Sequence, residues 1–138
     1  MPNTTPIFSK VGDVQWVNSA TTANTTATLA SGTVYTAFTA DATSGGYVQR
    51  IRFRSLGTNA SATVARIWIN NGGSSAVADN NTLWDEITLG TTTVSQVAAL
   101  ATYELPLNFA LPPGYKIVVT LGTTVAAGWD CIVIGGKF

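Results

Sequence analysis

The chain contains no histidine and a single cysteine, Cys131. A Ser-His-Asp triad, a Cys-His pair and every histidine-containing metal site need an imidazole, and a thiolate zinc site needs several cysteines. Ser-Lys and paired-carboxylate chemistry remain formally open. Of the seven acidic residues, Asp85 and Glu86 are adjacent, and neighbours on a strand face opposite sides, so they cannot form a dyad. Glu104 and Asp130 fall on separate predicted strands of open register. No Gly-x-Gly-x-x-Gly or P-loop pattern opens a helix, which leaves nucleotide binding unsupported. Asp79-Asn80-Asn81 offers oxygens to calcium, but such a site takes roughly six to eight ligands, and an Asn-rich turn is the simpler reading. The expectation is a non-enzyme without metal or cofactor, whose work is to bind or assemble.

Two polar features could carry binding. Arg50, Arg52 and Arg54 alternate with Ile51 and Phe53, so three guanidinium groups project from one strand face at intervals of about 7 Å. A solvated face that discourages edge aggregation explains such a row. A contact row for carboxylates of a neighbouring subunit explains it too, because arginine makes planar, bidentate pairs. Single-stranded nucleic acid needs aromatics interleaved with the basic groups, and Phe53 points the other way. The second feature is four tryptophans, Trp16, Trp68, Trp84 and Trp129, each on a predicted strand. Trp68 and Trp84 share faces with Arg66 and Glu86, opposite aliphatic faces. Core packing, a protein interface and a sugar-stacking platform are the competing readings. Arg50, Arg52, Arg54, Arg66, Trp68, Trp84 and Glu86 are therefore the candidate interaction residues.

The elements that position them repeat with a period of two. Besides 50–56, alternation marks strands at 14–17, 33–39, 62–70, 83–89, 103–107, 115–121 and 129–134. Gly45-Gly46, Gly57-Thr58-Asn59, Asn70-Asn71-Gly72-Gly73, Asp79-Asn80-Asn81 and Pro112-Pro113-Gly114 separate them with turn chemistry. Residues 94–102, rich in alanine, span only about two helical turns and are expected to be a loop or one short helix. Some eight antiparallel strands predict an all-β sandwich or jelly roll. Residues 13–138 read as one domain, preceded by an N-terminal arm at 1–12.

Composition narrows the partners. Charged residues make up 10% of the chain against 46% hydrophobic, where an average globular protein carries about 25% charged. With zero net charge, no global field draws the chain to nucleic acid or an acidic membrane. No apolar run approaches the roughly 20 residues of a membrane helix. The first ten residues lack the basic-then-apolar order of a secretory signal, and one cysteine suits folding in a reducing cytoplasm.

Several segments carry a resemblance. RIRFRSLGTN at 50–59, RIWINNG at 66–72, NNTLWDEITL at 80–89, LNFALPPGYKIVVTLG at 107–122 and AGWDCIVIGG at 127–136 resemble a family of small structural proteins of tailed bacteriophages and prophages, over most of the chain from about residue 21. The resemblance implies a capsid decoration (cement) protein: a compact β-sandwich or jelly roll, a homotrimer, assembled in the host cytoplasm and seated on the virion surface against the major capsid protein. It brings no catalytic residues. A tail-fibre or baseplate component and a carbohydrate-binding adhesin module are the alternatives.

Overall fold

A computed structural model describes residues 9–138. Eight strands form in chain order: β1 (Val11–Ala20), β2 (Tyr35–Thr39), β3 (Gly46–Ser55), β4 (Thr63–Asn70), β5 (Asn81–Leu89), β6 (Tyr103–Leu111), β7 (Lys116–Leu121) and β8 (Trp129–Lys137). Each predicted strand is present; residues 94–102 are irregular. β1 takes in Val11 and Gly12, and most of the expected arm, residues 1–8, lies outside the described residues.

The strands build two antiparallel four-stranded sheets, ordered β1-β8-β3-β6 and β2-β7-β4-β5. Every connection except β4–β5 crosses between sheets, which is the jelly-roll winding. Alternation explains the core: Val48, Ile51 and Phe53 of β3 and Cys131 and Val133 of β8 face inward and meet Ile67, Ile117, Val119 and Leu121 of the other sheet, all fully buried. Each such side chain contributes about 1.5–3 kcal/mol by leaving water.

One flank of the sandwich is closed by a side chain. The Gln15 amide on edge strand β1 donates to Thr39 O (2.9 Å) and accepts from Thr39 N–H (2.9 Å) on edge strand β2. It thereby satisfies ladder groups that β2 would otherwise leave open.

One end of the sandwich is organised by Asn59, which is fully buried in the β3–β4 connection. Its Oδ1 accepts the N–H groups of Ala127 (2.8 Å) and Gly128 (3.1 Å), from the β7–β8 connection. Its Nδ2 donates to Ser55 Oγ (2.9 Å), and its backbone exchanges bonds with Thr92 of the β5–β6 connection. Gly128 sits at φ +85°, a conformation that suits glycine and that lets two successive N–H groups converge on one oxygen. The β1–β2 connection joins the same end, with Val125 N–H donating to Thr21 O at 2.9 Å.

Asn59→Ala strips two buried N–H groups of their acceptor. Losing a buried partner costs about 1–3 kcal/mol per group left unpaired. Urea unfolding of this variant should show a loss of about 2–4 kcal/mol, with an unchanged denaturant slope; a loss below about 0.5 kcal/mol would show the amide to be dispensable.

Candidate interaction face

The three arginines lie together on the outer face of the β1-β8-β3-β6 sheet, because Ile51 and Phe53 between them are committed to the core. Two irregularities set the register: Gln49 is the extra residue against β8, with Val48 opposite Gly135 and Arg50 opposite Ile134, and β6 bulges at Leu107–Asn108, with Val48 opposite Phe109 but Arg50 already opposite Pro106. Across the sheet, Arg52 is flanked by Glu104 on β6 and Ile132 on β8, and Ile132 in turn by Trp16 on β1. The parallel row runs Pro106, Arg50, Ile134, Val14.

The arginines are only partly neutralised within the chain. Glu104 Oε1 lies 3.6 Å from Arg52 Nε and 3.9 Å from Arg50 Nε. These are ion pairs too long for hydrogen bonds, and both Nε atoms are occluded without an acceptor. One carboxylate thus serves two guanidinium groups, whose side chains remain 42% exposed. Pairs this exposed contribute at most about 1 kcal/mol. Arg54 Nη1 donates to Leu100 O (2.9 Å) and Thr102 Oγ1 (2.7 Å). These acceptors pin the β5–β6 connection, and Arg54 forms no ion pair among the described residues although Asp130 lies opposite it on β8.

Beside this row runs an apolar strip. Trp16 is 64% and Val14 50% exposed, with half-buried Ile132 and Ile134 between them and the arginines. These residues were not among the candidates read from the sequence. The signal was β8 itself: Cys131, Ile132, Val133 and Ile134 are apolar in both phases, so one phase must face outward. In β1, Val14 and Val17 likewise fall on opposite faces, which hid the direction of Trp16.

The other four candidates sit on the second sheet. Arg66 Nε pairs with Glu86 Oε2 at 3.3 Å on its outer face. Trp68 shares that face, as expected from its spacing, but it does not meet a partner: it is 2% exposed. Residues 21–34 fold over it, so Trp68 packs with Leu29, Val34 and Val118 in a second small core. Its Nε1–H donates to Thr120 Oγ1 at 3.0 Å, which satisfies the polar end of the buried indole. Asn81 Nδ2 holds the cover by donating to Leu29 O at 2.9 Å.

Trp84 departs from the expected alternation. A bulge leaves it without a partner on β4, since Ile67 pairs with Asp85 and Trp68 with Leu83. Its ring turns to Phe109 of β6, with centroids 4.7 Å apart, and bridges the flank opposite the Gln15 closure. Trp84 stays 47% and Leu83 46% exposed. The candidates thus form an arginine face on one sheet and a mixed corner on the other, not a single site. Trp129 is fully buried, with Tyr103 edge-on at 5.7 Å.

The Asp79-Asn80-Asn81 segment behaves as a turn. Asn80 Nδ2 donates to Ser74 O, and Asn81 Nδ2 to Ser75 O and Val77 O. Asn81 Oδ1 accepts from Asn70 Nδ2. Among the described residues no group of three acidic, cysteine or histidine side chains is placed to hold a metal.

No family model and no curated protein sequence matches this chain. A solved structure of infectious bursal disease virus, Gx strain, is similar over 94% of the chain at 13% identity and a TM-score of 0.33, and this chain spans 33% of that one. A likeness so distant carries no argument about function.

Cys131 faces the core, and burial pushes its thiol up to about 12. The thiolate is the reactive form, so native protein at pH 8 should resist a maleimide that labels the unfolded chain. The unfolded thiol, near 9.0, releases its proton before the native one, near 12. Stability should therefore fall as pH rises from 9 towards 12. A Cys131→Ala variant, followed by urea unfolding over this range, should lose that part of the decline.

Proposed function

We propose that this chain is a structural component of a virus particle. In this reading it is a decoration (cement) protein on the outer shell of a bacteriophage head, assembled in the host cytoplasm. It works as a homotrimer that holds neighbouring major capsid subunits together. The observation that carries the reading is the inequality of the two sheets: the chain folds residues 21–34 over one outer face, while no described residues cover the other. That second face offers Trp16, Val14, Ile132 and Ile134 beside three arginines. Exposed aromatics and arginine are the residue types enriched at protein interfaces.

The jelly-roll winding is compatible, since capsid and lectin domains both use it, although a fold alone does not fix a function. The resemblance of the segments at 50–59, 66–72, 80–89, 107–122 and 127–136 to phage structural proteins points the same way. Chemistry has no role in this reading: the chain works as a clamp, without cofactor, nucleic acid or membrane. Its effect comes from linked weak contacts, because three joined copies turn each later contact with the shell into an intramolecular event. The exposed Trp16 indole also suits stacking on a sugar ring, which keeps an adhesin module or tail-fibre component as the second reading.

The copy number in purified particles, relative to the major capsid protein, separates these. Quantitative mass spectrometry should find hundreds of copies in a simple ratio to the capsid subunits. A handful would place the chain in a tail or fibre, and none would return it to the sugar-binding reading.

A further inference from the structure

The described surface carries two separate apolar clusters on edge strands. One is Val14 and Trp16 on β1, continued by Ile132 and Ile134; the other is Leu83 and Trp84 on β5. β1 borders one sheet and lies beside β2 through Gln15, whereas β5 borders the other sheet and lies beside β6 through Trp84 and Phe109. The two clusters therefore occupy diagonally opposite corners of the sandwich, and neither can cover the other within one chain.

Their charges are complementary. Arg50, Arg52 and Arg54 flank the β1 cluster with Glu104 as the carboxylate they share, while Asp130 opposite Arg54 is engaged by Ser19 N–H at 3.1 Å. At the β5 corner Asp85 is exposed and carries no ion pair among the described residues, while Glu86, on the opposite face of the strand, is held by Arg66 at 3.3 Å. With zero net charge overall, a surplus of one sign on one face is balanced by the other sign elsewhere on the same molecule. A second copy can present that balancing surface.

We infer that the outer face of the β1-β8-β3-β6 sheet docks the β5 corner of a second copy of this chain, unlike surface to unlike surface. Trp16 meets the Leu83–Trp84 edge as the apolar centre, and Arg52 faces Asp85 at its rim. The pair then keeps one free patch of each kind, one on each copy, so the contact repeats until a ring closes. This inference deepens the trimer of the proposed function by naming its interface, and it rests on that reading only for the number of copies.

Sedimentation of the purified chain tests it. Wild type at tens of micromolar should sediment as a closed multiple of the 14.4 kDa chain, and should dissociate at high salt as the rim is screened. Trp16→Glu and Leu83→Arg, each placing a repelling charge at the centre, should both be monomeric. Near-ultraviolet circular dichroism checks that they remain folded, and exposed Asp85→Arg replaces Leu83→Arg if that variant does not. Mixed in equal amounts, the two variants retain one intact patch of each kind and should form a heterodimer and nothing larger. Arg52→Glu and Asp85→Arg should each weaken assembly at least about tenfold, and their combination in one chain should restore part of it. A monomeric wild type overturns the inference. So do assembly indifferent to Trp16→Glu and a variant mixture that stays monomeric. Because no capsid enters the experiment, these results are independent of the copy number in particles.

Discussion

A single buried amide sets the conditions under which this sandwich closes. Four connections reach the same end, each bringing backbone groups that the sheets do not pair. Inside protein, such groups must find partners or cost free energy. Asn59 meets the demand with both ends of its side chain and its backbone at once, touching Ala127, Gly128, Ser55 and Thr92. The neighbouring hydroxyls of Ser55 and Thr92 complete the cluster at 2.9 Å. With that end fixed, the strands leaving it are held in the spacing that lets Phe53, Ile67, Val119 and Val133 interdigitate.

The two sheets are then treated differently. The outer face of β2-β7-β4-β5 becomes a second interior: residues 21–34 cross it, Leu29 and Trp68 disappear from solvent, and the cover is tied down by the Asn24 backbone N–H on Leu121 O and by Asn81 on Leu29 O. The outer face of β1-β8-β3-β6 receives no such cover among the described residues. The chain places its arginines on β3 and leaves the rows from β8 to β1 apolar. The exposed apolar surface follows from where the chain lays its longest ordered crossover and where it does not.

This division explains what the sequence disclosed. Period-two alternation made β3 and β4 legible, including the outward direction of Arg50, Arg52, Arg54 and Arg66, because their inner neighbours are unmistakably core residues. The burial of Trp68 was not legible. Its spacing gives its face correctly, but the cover comes from residues about 40 positions earlier, and no local pattern encodes that contact. Trp84 was misdirected by a bulge, since one inserted residue turns the alternation on its far side. Trp16 was overlooked because both phases of its strand carry apolar side chains.

β1 and β8 run antiparallel with Val11 opposite Lys137 and Ala20 opposite Trp129. The first strand and the last therefore leave the sandwich side by side at one corner. Tension applied between them would act across the ladder and open its bonds one pair at a time, beginning at Val11 and Lys137. The Gln15 clasp on Thr39, together with Ala20 and Val17 packed in the core, would oppose the peeling of β1 away from the second sheet. Force delivered instead through the broad outer face is shared by all four strands at once. Mechanically, the domain is weak where its ends are pulled and strong where its face is pressed.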